Sequence, residues 1–382
     1  MARVSTAIIG TGFMGRVHAE QIRRLGFVDI AAVAGANEAD AAAFGQAMGI
    51  ERTTANYKEI LADPGIQAVH VLTPNALHYP MSMDALNAGK AVLCEKPLSV
   101  TAKEATNMLK LAEKKGLAHA VNHNLRYYPL VQHIRQYIAS GELGDVLHVQ
   151  GTYSQDWLLY DTDFNWRIET KDNGALRAVG DIGSHWMDMI QHLTALPITA
   201  LCADLATFHK TRKKPKGSIQ TFAGKKLKPS DYDEVKITTE DYGGVLLHLG
   251  ENARGAFTAS QVAAGNKNRF AFEIYGTKSG VSWNQERPDE LWIGNRNEPN
   301  RILIKDPSML LGPASGFADL PGGHSEGYDD AHKQLYKRFY RRVADPSAPV
   351  DYPTFEDGRR GMVLLEKVVE SAKKKGWVKV KF

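Results

Sequence analysis

The first third of the chain alternates short, almost wholly apolar runs with longer amphipathic or alanine-rich stretches. Ser5–Ile9, Asp29–Ala34, Ala68–Leu72, Ala91–Cys94 and Ala118–Val121 read as strands, and Val17–Leu25, Glu38–Met48, Tyr57–Ala62, Met81–Ala88 and Ala102–Lys115 read as helices between them. A strand without a polar face is buried on both sides, which predicts a parallel sheet flanked by helices. Right-handed crossovers then make the sheet doubly wound. The pattern changes after about Leu125. One helix, Pro129–Ser140, is followed by Val-, Thr-, Phe- and Tyr-rich runs at Val146–Tyr153, Ile198–Phe208, Glu234–Thr239, Val245–Leu249, Ala256–Val262, Arg269–Tyr275, Gly280–Asn284 and Leu291–Ile293. Short Gly- or Asn-bearing turns between them predict an antiparallel sheet, and a last helix falls near Arg359–Lys374. The expected fold class is α/β over residues 1–125, followed by an α+β domain with a large open antiparallel sheet over 126–382.

Gly10-Thr11-Gly12-Phe13-Met14-Gly15 sits directly after the first strand and before the first helix. In that context G-x-G-x-x-G is the dinucleotide fingerprint of a Rossmann domain: one glycine for the turn, one for approach to the pyrophosphate, one for helix–strand packing. The ribose carboxylate expected about 20 residues on is missing, because Gly35-Ala36-Asn37 stands there. The Asn37 amide is a substitute partner for the ribose. No Lys or Arg lies between Arg24 and Arg52 to meet a 2′-phosphate, so NAD is expected rather than NADP.

Thr73-Pro74-Asn75 with His78, and Glu95-Lys96-Pro97, follow buried strands and so fall at the ligand-facing end of the sheet. A lysine hemmed in there is a candidate for a depressed pKa. Together with Asn124-Leu125-Arg126-Tyr127 and Asp181-Ile182-Gly183-Ser184-His185, these motifs resemble, in order and spacing, the glucose-fructose oxidoreductase / inositol dehydrogenase / rhizopine-catabolism (Gfo/Idh/MocA) family over essentially the whole chain. The resemblance implies a Rossmann domain, a substrate-binding α+β domain whose open sheet forms oligomer interfaces, and hydride transfer at a sugar or polyol carbon. It also implies a cis Lys96–Pro97 bond, a catalytic set of Lys96, Asp181 and His185, and a place beside the cofactor for Trp166 and Arg167; the expected cofactor contacts are then Gly10, Gly12, Phe13, Met14, Gly15, Asn37, Thr73, Pro74, Asn75, His78, Glu95, Lys96, Asn124, Trp166 and Arg167.

Asp181 and His185 are four apart at the apparent start of a helix running to Thr194, which puts them on one face. Near a helix N-terminus the dipole disfavours an imidazolium, keeping His185 able to accept an alcohol proton. Lys96 would orient the hydroxyl in a cleft closed by both domains; Lys96 and His185 could exchange roles. Asp188 and His192 continue the stripe, so a metal face is a second reading, but four ligands over three turns span about 16 Å, too far for one ion; no metal is expected. Arg126, Tyr127, Asp156, Trp157 and His324, with Lys96, Asp181 and His185, are the expected substrate contacts, since rings and polar groups together suit a sugar.

Composition bounds the rest. The chain has 382 residues, 43% of them hydrophobic, and a net charge of +4, which gives no reason to expect nucleic acid or a membrane surface as partner. Only Cys94 and Cys202 occur and no apolar run is long enough to span a bilayer; a cytoplasmic homodimer or homotetramer acting on a small sugar or glycoside is expected. Basic residues crowd 209–228, which reads as a surface loop. The main alternative to a sugar dehydrogenase is an NAD-dependent glycoside hydrolase that oxidises C3 transiently and eliminates the aglycone; a sulfosugar glycoside, met by Arg126, Arg167 and His324, is one candidate substrate for that route. A non-catalytic nucleotide sensor is the third, disfavoured by the intact Lys96, Asp181 and His185.

Overall fold

The computed structural model describes residues 2–217 and 231–382. In chain order the first elements are β1 (Val4–Ile9), α1 (Phe13–Arg23), β2 (Val28–Ala34), α2 (Glu38–Met48), β3 (Thr53–Thr54), α3 (Tyr57–Leu61), β4 (Ala68–Val71), α4 (Asn75–Asn87), β5 (Ala91–Cys94), α5 (Ala102–Lys115) and β6 (His119–Val121). Their strands form one parallel sheet in the order β3-β2-β1-β4-β5-β6, the doubly wound arrangement expected. β4 and β5 are buried at every position, which is why they carry no alternation. Local signals set the helix ends: Thr101 and Glu104 form a capping box on α5, and Gly116 closes it at φ 64°.

The later elements are α6 (Pro129–Ala139), β7 (Val146–Ser154), α7 (Thr170–Asn173), α8 (Ser184–Thr194), β8 (Ile198–Ala206), β9 (Thr211–Pro215), β10 (Tyr232–Lys236), β11 (Tyr242–Leu249), β12 (Ala253–Ser260), β13 (Arg269–Gly276), β14 (Gly280–Asn284), β15 (Glu290–Gly294), β16 (Arg301–Ile304), α9 (Tyr328–Ala344), α10 (Phe355–Lys374) and β17 (Val378–Lys379). Nine strands form one sheet in the order β16-β15-β14-β13-β7-β12-β11-β8-β17. It is mixed rather than wholly antiparallel, because the central pair β7 and β12 runs parallel, Arg254 opposite His148 through Ser260 opposite Ser154. One face is packed by α8, where Trp186 stacks on Phe257 at 4.6 Å.

The chain divides into two compact units that differ from a single cut near residue 125. Met1–Asn124 is completed by Tyr328–Met362, while Leu125–Gly327 is completed by Val363–Phe382. In the first unit α9 fills the core with Leu335, Tyr336, Phe339 and Tyr340, all fully buried. The basic stretch is also different from expectation. Thr211–Pro215 is a strand paired with β10, Arg212 is buried against Asp241, and Lys213 and Lys214 pair with Asp161 and Glu169. Lys225, Lys226 and Lys228 lie outside the described residues.

Candidate functional site

In the first unit, the three loop glycines have separate physical reasons. Gly10 has φ +122°, and a Cβ there would lie 2.6 Å from the Leu72 carbonyl oxygen. A Cβ on Gly15 would lie 2.4 Å from the Gly10 oxygen, so helix and strand pack only without one. A Cβ on Gly12 would meet no protein atom within 4 Å. Gly12 is the N-cap of α1, with no side-chain cap and no acidic residue in the first turn, so the positive end of the helix suits a phosphate. Phe13 is exposed, and Met14 Sδ accepts from the Tyr328 hydroxyl. Next to this loop, at the carboxyl end of β4, the Thr73 hydroxyl is buried without a partner. An uncapped helix start, a cradle that a side chain would fill and an orphaned hydroxyl fit a dinucleotide.

Other expected cofactor residues have structural work inside this unit. Pro74 caps α4, whose first residue is the buried Asn75; the helix starts there rather than near Met81. His78 is buried with Nδ1 2.8 Å from the Pro97 carbonyl and Nε2 2.9 Å from that of Thr73, tying together the loops after β4 and β5. Burial lowers its pKa, against the two carbonyl contacts and the Glu95 charge, which raise it. The Lys96–Pro97 bond is cis. The Glu95 carboxylate turns inward to His18 Nε2 at 3.0 Å and to the Asn122 amide. Burial opposes its charge, but the His18 hydrogen bond and the nearby charges win and hold it at about 2. Asn37 caps α2, accepting from Asp40 N at 2.9 Å and donating to Asp40 Oδ2 at 2.8 Å, so its oxygen is already engaged. Asn124 is buried, with its amide 3.3 Å from His332 Nδ1.

Sequence reasoning missed the histidines behind this end of the sheet. His18 Nδ1 lies 2.7 Å from His70 Nδ1, and His70 Nε2 lies 2.8 Å from the Tyr340 hydroxyl. Tyr340 donates to Thr6 Oγ1, which donates to the Ala68 carbonyl. His18, Glu95 and His332 place ligand-type atoms within 4.8 Å of one another, but Asn122 already donates to Glu95 and contacts His18. The signal was a polar residue on the buried face of α1.

In the second unit, Asp181 and His185 differ from expectation in backbone. Val179–Gly183 is a π-helical turn and α8 begins only at Ser184. The helical backbone runs on through Gly183, so His185 is not at a free helix N-terminus and the dipole argument does not apply to it. Such turns concentrate at functional sites. Both residues are nearly buried, and the His185 ring lies 6.1 Å from that of Tyr153. Asp181 Oδ1 accepts from Arg167 Nε at 3.3 Å, and Oδ2 accepts from Gln261 Nε2 at 2.9 Å. The Arg167 guanidinium also lies 4.4 Å over the Trp166 ring.

The outer members of the Asp/His stripe have structural partners. Asp188 receives two N–H groups of the buried Arg126, and His192 lies 3.4 Å from Gln132 Nε2. Arg126 is thereby neutralised, which argues against its meeting an anionic head group. Tyr127 is buried, 5.8 Å from the Phe317 ring. Asp156 accepts from Lys267 Nζ at 2.7 Å and Gly265 N at 3.1 Å. Trp157 donates to Gln155 and packs on the cluster of Leu158, Ile168 and Ile237. His324 is exposed on a loop whose carbonyl is held by the buried Lys305–Glu326 pair.

Comparison with known proteins adds an independent line. Residues 4–123 match the model described as "Oxidoreductase family, NAD-binding Rossmann fold", and 131–282 match the GFO/IDH/MocA C-terminal domain. The chain is 29% identical to levoglucosan dehydrogenase of Pseudarthrobacter phenanthrenivorans, covering 100% of this chain and 99% of the relative. It is 35% identical to the NADP(+) scyllo-inositol 2-dehydrogenase of Bacillus subtilis, covering 83% of this chain and 80% of that one. The solved structure of levoglucosan dehydrogenase in complex with NADH and L-sorbose superposes at TM-score 0.90 with 28% identity, covering 100% of each chain.

Proposed function

The chain belongs to the Gfo/Idh/MocA oxidoreductase family, with its NAD-binding Rossmann fold, and on that premise we propose that it moves hydride between a nicotinamide cofactor and a secondary alcohol carbon of a sugar, glycoside or polyol. The observation that carries the reading is the Gly12 cradle at the uncapped start of α1, in a chain that retains Lys96, Asp181 and His185. When bound, NAD supplies the hydride acceptor. His185 takes the hydroxyl proton, Lys96 orients that hydroxyl and stabilises developing negative oxygen, and Asp181 accepts a hydrogen bond from a second substrate hydroxyl. Pyrophosphate contacts come from the α1 N-terminus. NAD is preferred over NADP because the first turn of α2 carries Glu38 and Asp40, which repel a 2′-phosphate.

The substrate class is supported by relatives named for levoglucosan, scyllo-inositol and glucose-6-phosphate. The protein acts in the cytoplasm, a reading supported by the free cysteines Cys94 and Cys202, with no described helix long and apolar enough to cross a membrane. The experiment is turnover of a sugar and aryl-glycoside panel by wild type, Lys96→Ala and His185→Ala, with NAD and NADP titrated in parallel. Net NADH formation, lost by about 10²–10⁴-fold in the variants with NAD affinity kept, is expected. Variants within a few-fold of wild type would overturn the catalytic assignment, and aglycone release without NADH would make the enzyme a redox-assisted glycosidase. Tenfold tighter NADP, about 1.4 kcal/mol, would reverse the cofactor preference.

A further inference from the structure

We propose that Gln261 is a positioning residue for Asp181: its side-chain amide, oriented by the buried Arg177, holds the Asp181 carboxylate as a fixed hydrogen-bond acceptor. The proposal rests on the reading of Asp181 as a catalytic residue and deepens it. All the groups involved belong to the second unit.

Gln261 follows β12 directly and is fully buried. Its two amide ends look alike in shape, but chemistry fixes which is which. Arg177 Nη1 lies 3.3 Å from one end, and a guanidinium only donates, so that end is Oε1. The Nε2–H group is therefore turned to Asp181 Oδ2, 2.9 Å away. Arg177 itself has no freedom to reorient. It is fully buried, its Nη2 donates to Asp241, its Nε lies 3.3 Å from Thr239 Oγ1, and its backbone N donates to Glu240 Oε1 at 2.9 Å. Asp241 is in turn held by Arg212 Nη2 at 2.8 Å and by the Phe208 backbone N at 2.7 Å, while its carbonyl receives the Gln261 backbone N at 3.1 Å.

Asp181 sits in a π-helical turn, a local geometry that concentrates at functional sites. Its carboxylate takes hydrogen bonds from two groups that only donate, Gln261 Nε2 and Arg167 Nε at 3.3 Å. Within the unit the Asp181 charge also opposes ionisation of the buried Tyr153, whose ring lies 6.1 Å from that of His185. One donor on each oxygen fixes the direction in which the carboxylate is presented.

The test compares wild type with Gln261→Met, which keeps length and loses the donor, and Gln261→Glu, which sets a second carboxyl against Asp181. Turnover and KM are followed from about pH 5 to about 9, beside NAD affinity and Tm. The expected result is kcat down by about tenfold in the Met variant with NAD affinity within about twofold. The acidic limb of the kcat profile moves up in both variants, by more than about one pH unit with Glu. A merely structural glutamine would lower Tm and leave the limb in place; an unmoved limb in folded Met variant overturns the proposal, and this variant decides alone if the Glu variant does not fold. Asp181→Asn separates the two levels. If it keeps wild-type turnover, the catalytic reading of Asp181 falls and takes this proposal with it; if it is inactive while the limb stays put in Gln261→Met, the positioning role alone falls.

Discussion

Gly10 and Gly12 are separated by one residue and answer to different forces. Gly10 has a left-handed backbone and no room for a Cβ, so Gly10→Ala should cost about 1–3 kcal/mol in strain and lower Tm. Gly12 has an ordinary negative φ and empty space where a Cβ would go, so Gly12→Ala should keep Tm and weaken NAD binding by tenfold or more, about 1.4 kcal/mol. Thermal melts and NAD titration of the two variants check this; equal losses of Tm would show that Gly12 too is a packing glycine. Both glycines were legible in sequence because the constraint is local. The partners of Arg126 and Glu95 were not, since a side chain 62 residues away, as Asp188 is from Arg126, leaves no mark on local pattern.

Elements were legible wherever apolar spacing was dense. The helices Glu38–Met48 and Ala102–Lys115 and the strands Ala91–Cys94 and Gly280–Asn284 lie where the pattern puts them. α9 went unread although Ala331, Leu335, Phe339 and the intervening tyrosines keep helical spacing, because the stretch is crowded with charge and its buried face also carries His332, Gln334 and Arg338. The π-helical turn was not legible either: one extra residue per turn changes no composition. The helices and strands around β1 bury His18, His70, His78, His119 and His332, and burial lowers each pKa, to about 4 for His119 and about 3 for His332. The unfolded chain takes up protons below its ordinary histidine pKa of about 6.5 while the folded unit does not. Stability is therefore complete above about pH 6.5 and falls as pH drops toward the folded values, with Glu95 adding to the loss below about 4.5. Urea unfolding followed from about pH 7 to about 5 should show this decline, and His332→Gln should flatten it by up to about 1.4 kcal/mol per pH unit. A pH-independent midpoint would refute it.

At the scale of the molecule, the nine-stranded sheet packs α8 on one face, where Val149, Phe257 and Phe272 are buried. Its other face presents Leu246, half-exposed, beside His148, Gln150, Thr152, Ala256 and Thr258. We propose that a second copy of the chain covers this face, as expected for a homodimer or homotetramer. Light scattering at micromolar concentration should give a multiple of 42.1 kDa, and Leu246→Lys should shift it toward that mass. A wild-type monomer would refute the proposal. The sheet was expected from sequence, but its parallel β7–β12 pair was not, because register and direction depend on partners about a hundred residues apart.

The return of Tyr328–Met362 to the first unit has a consequence for synthesis. A chain emerging from the ribosome has made β1 to β6 by residue 121, yet Thr6 and His70 still lack the Tyr340 hydroxyl, and the space of Tyr336 and Phe339 is empty until residue 328 and beyond have been translated. The intervening unit also waits, since its last piece is Val363–Phe382. Neither half can be finished before the other is nearly made, so a message broken in its final sixth yields no partial enzyme. Until then the nascent sheet leaves uncovered the apolar surface that α9 later fills, and such surface favours aggregation.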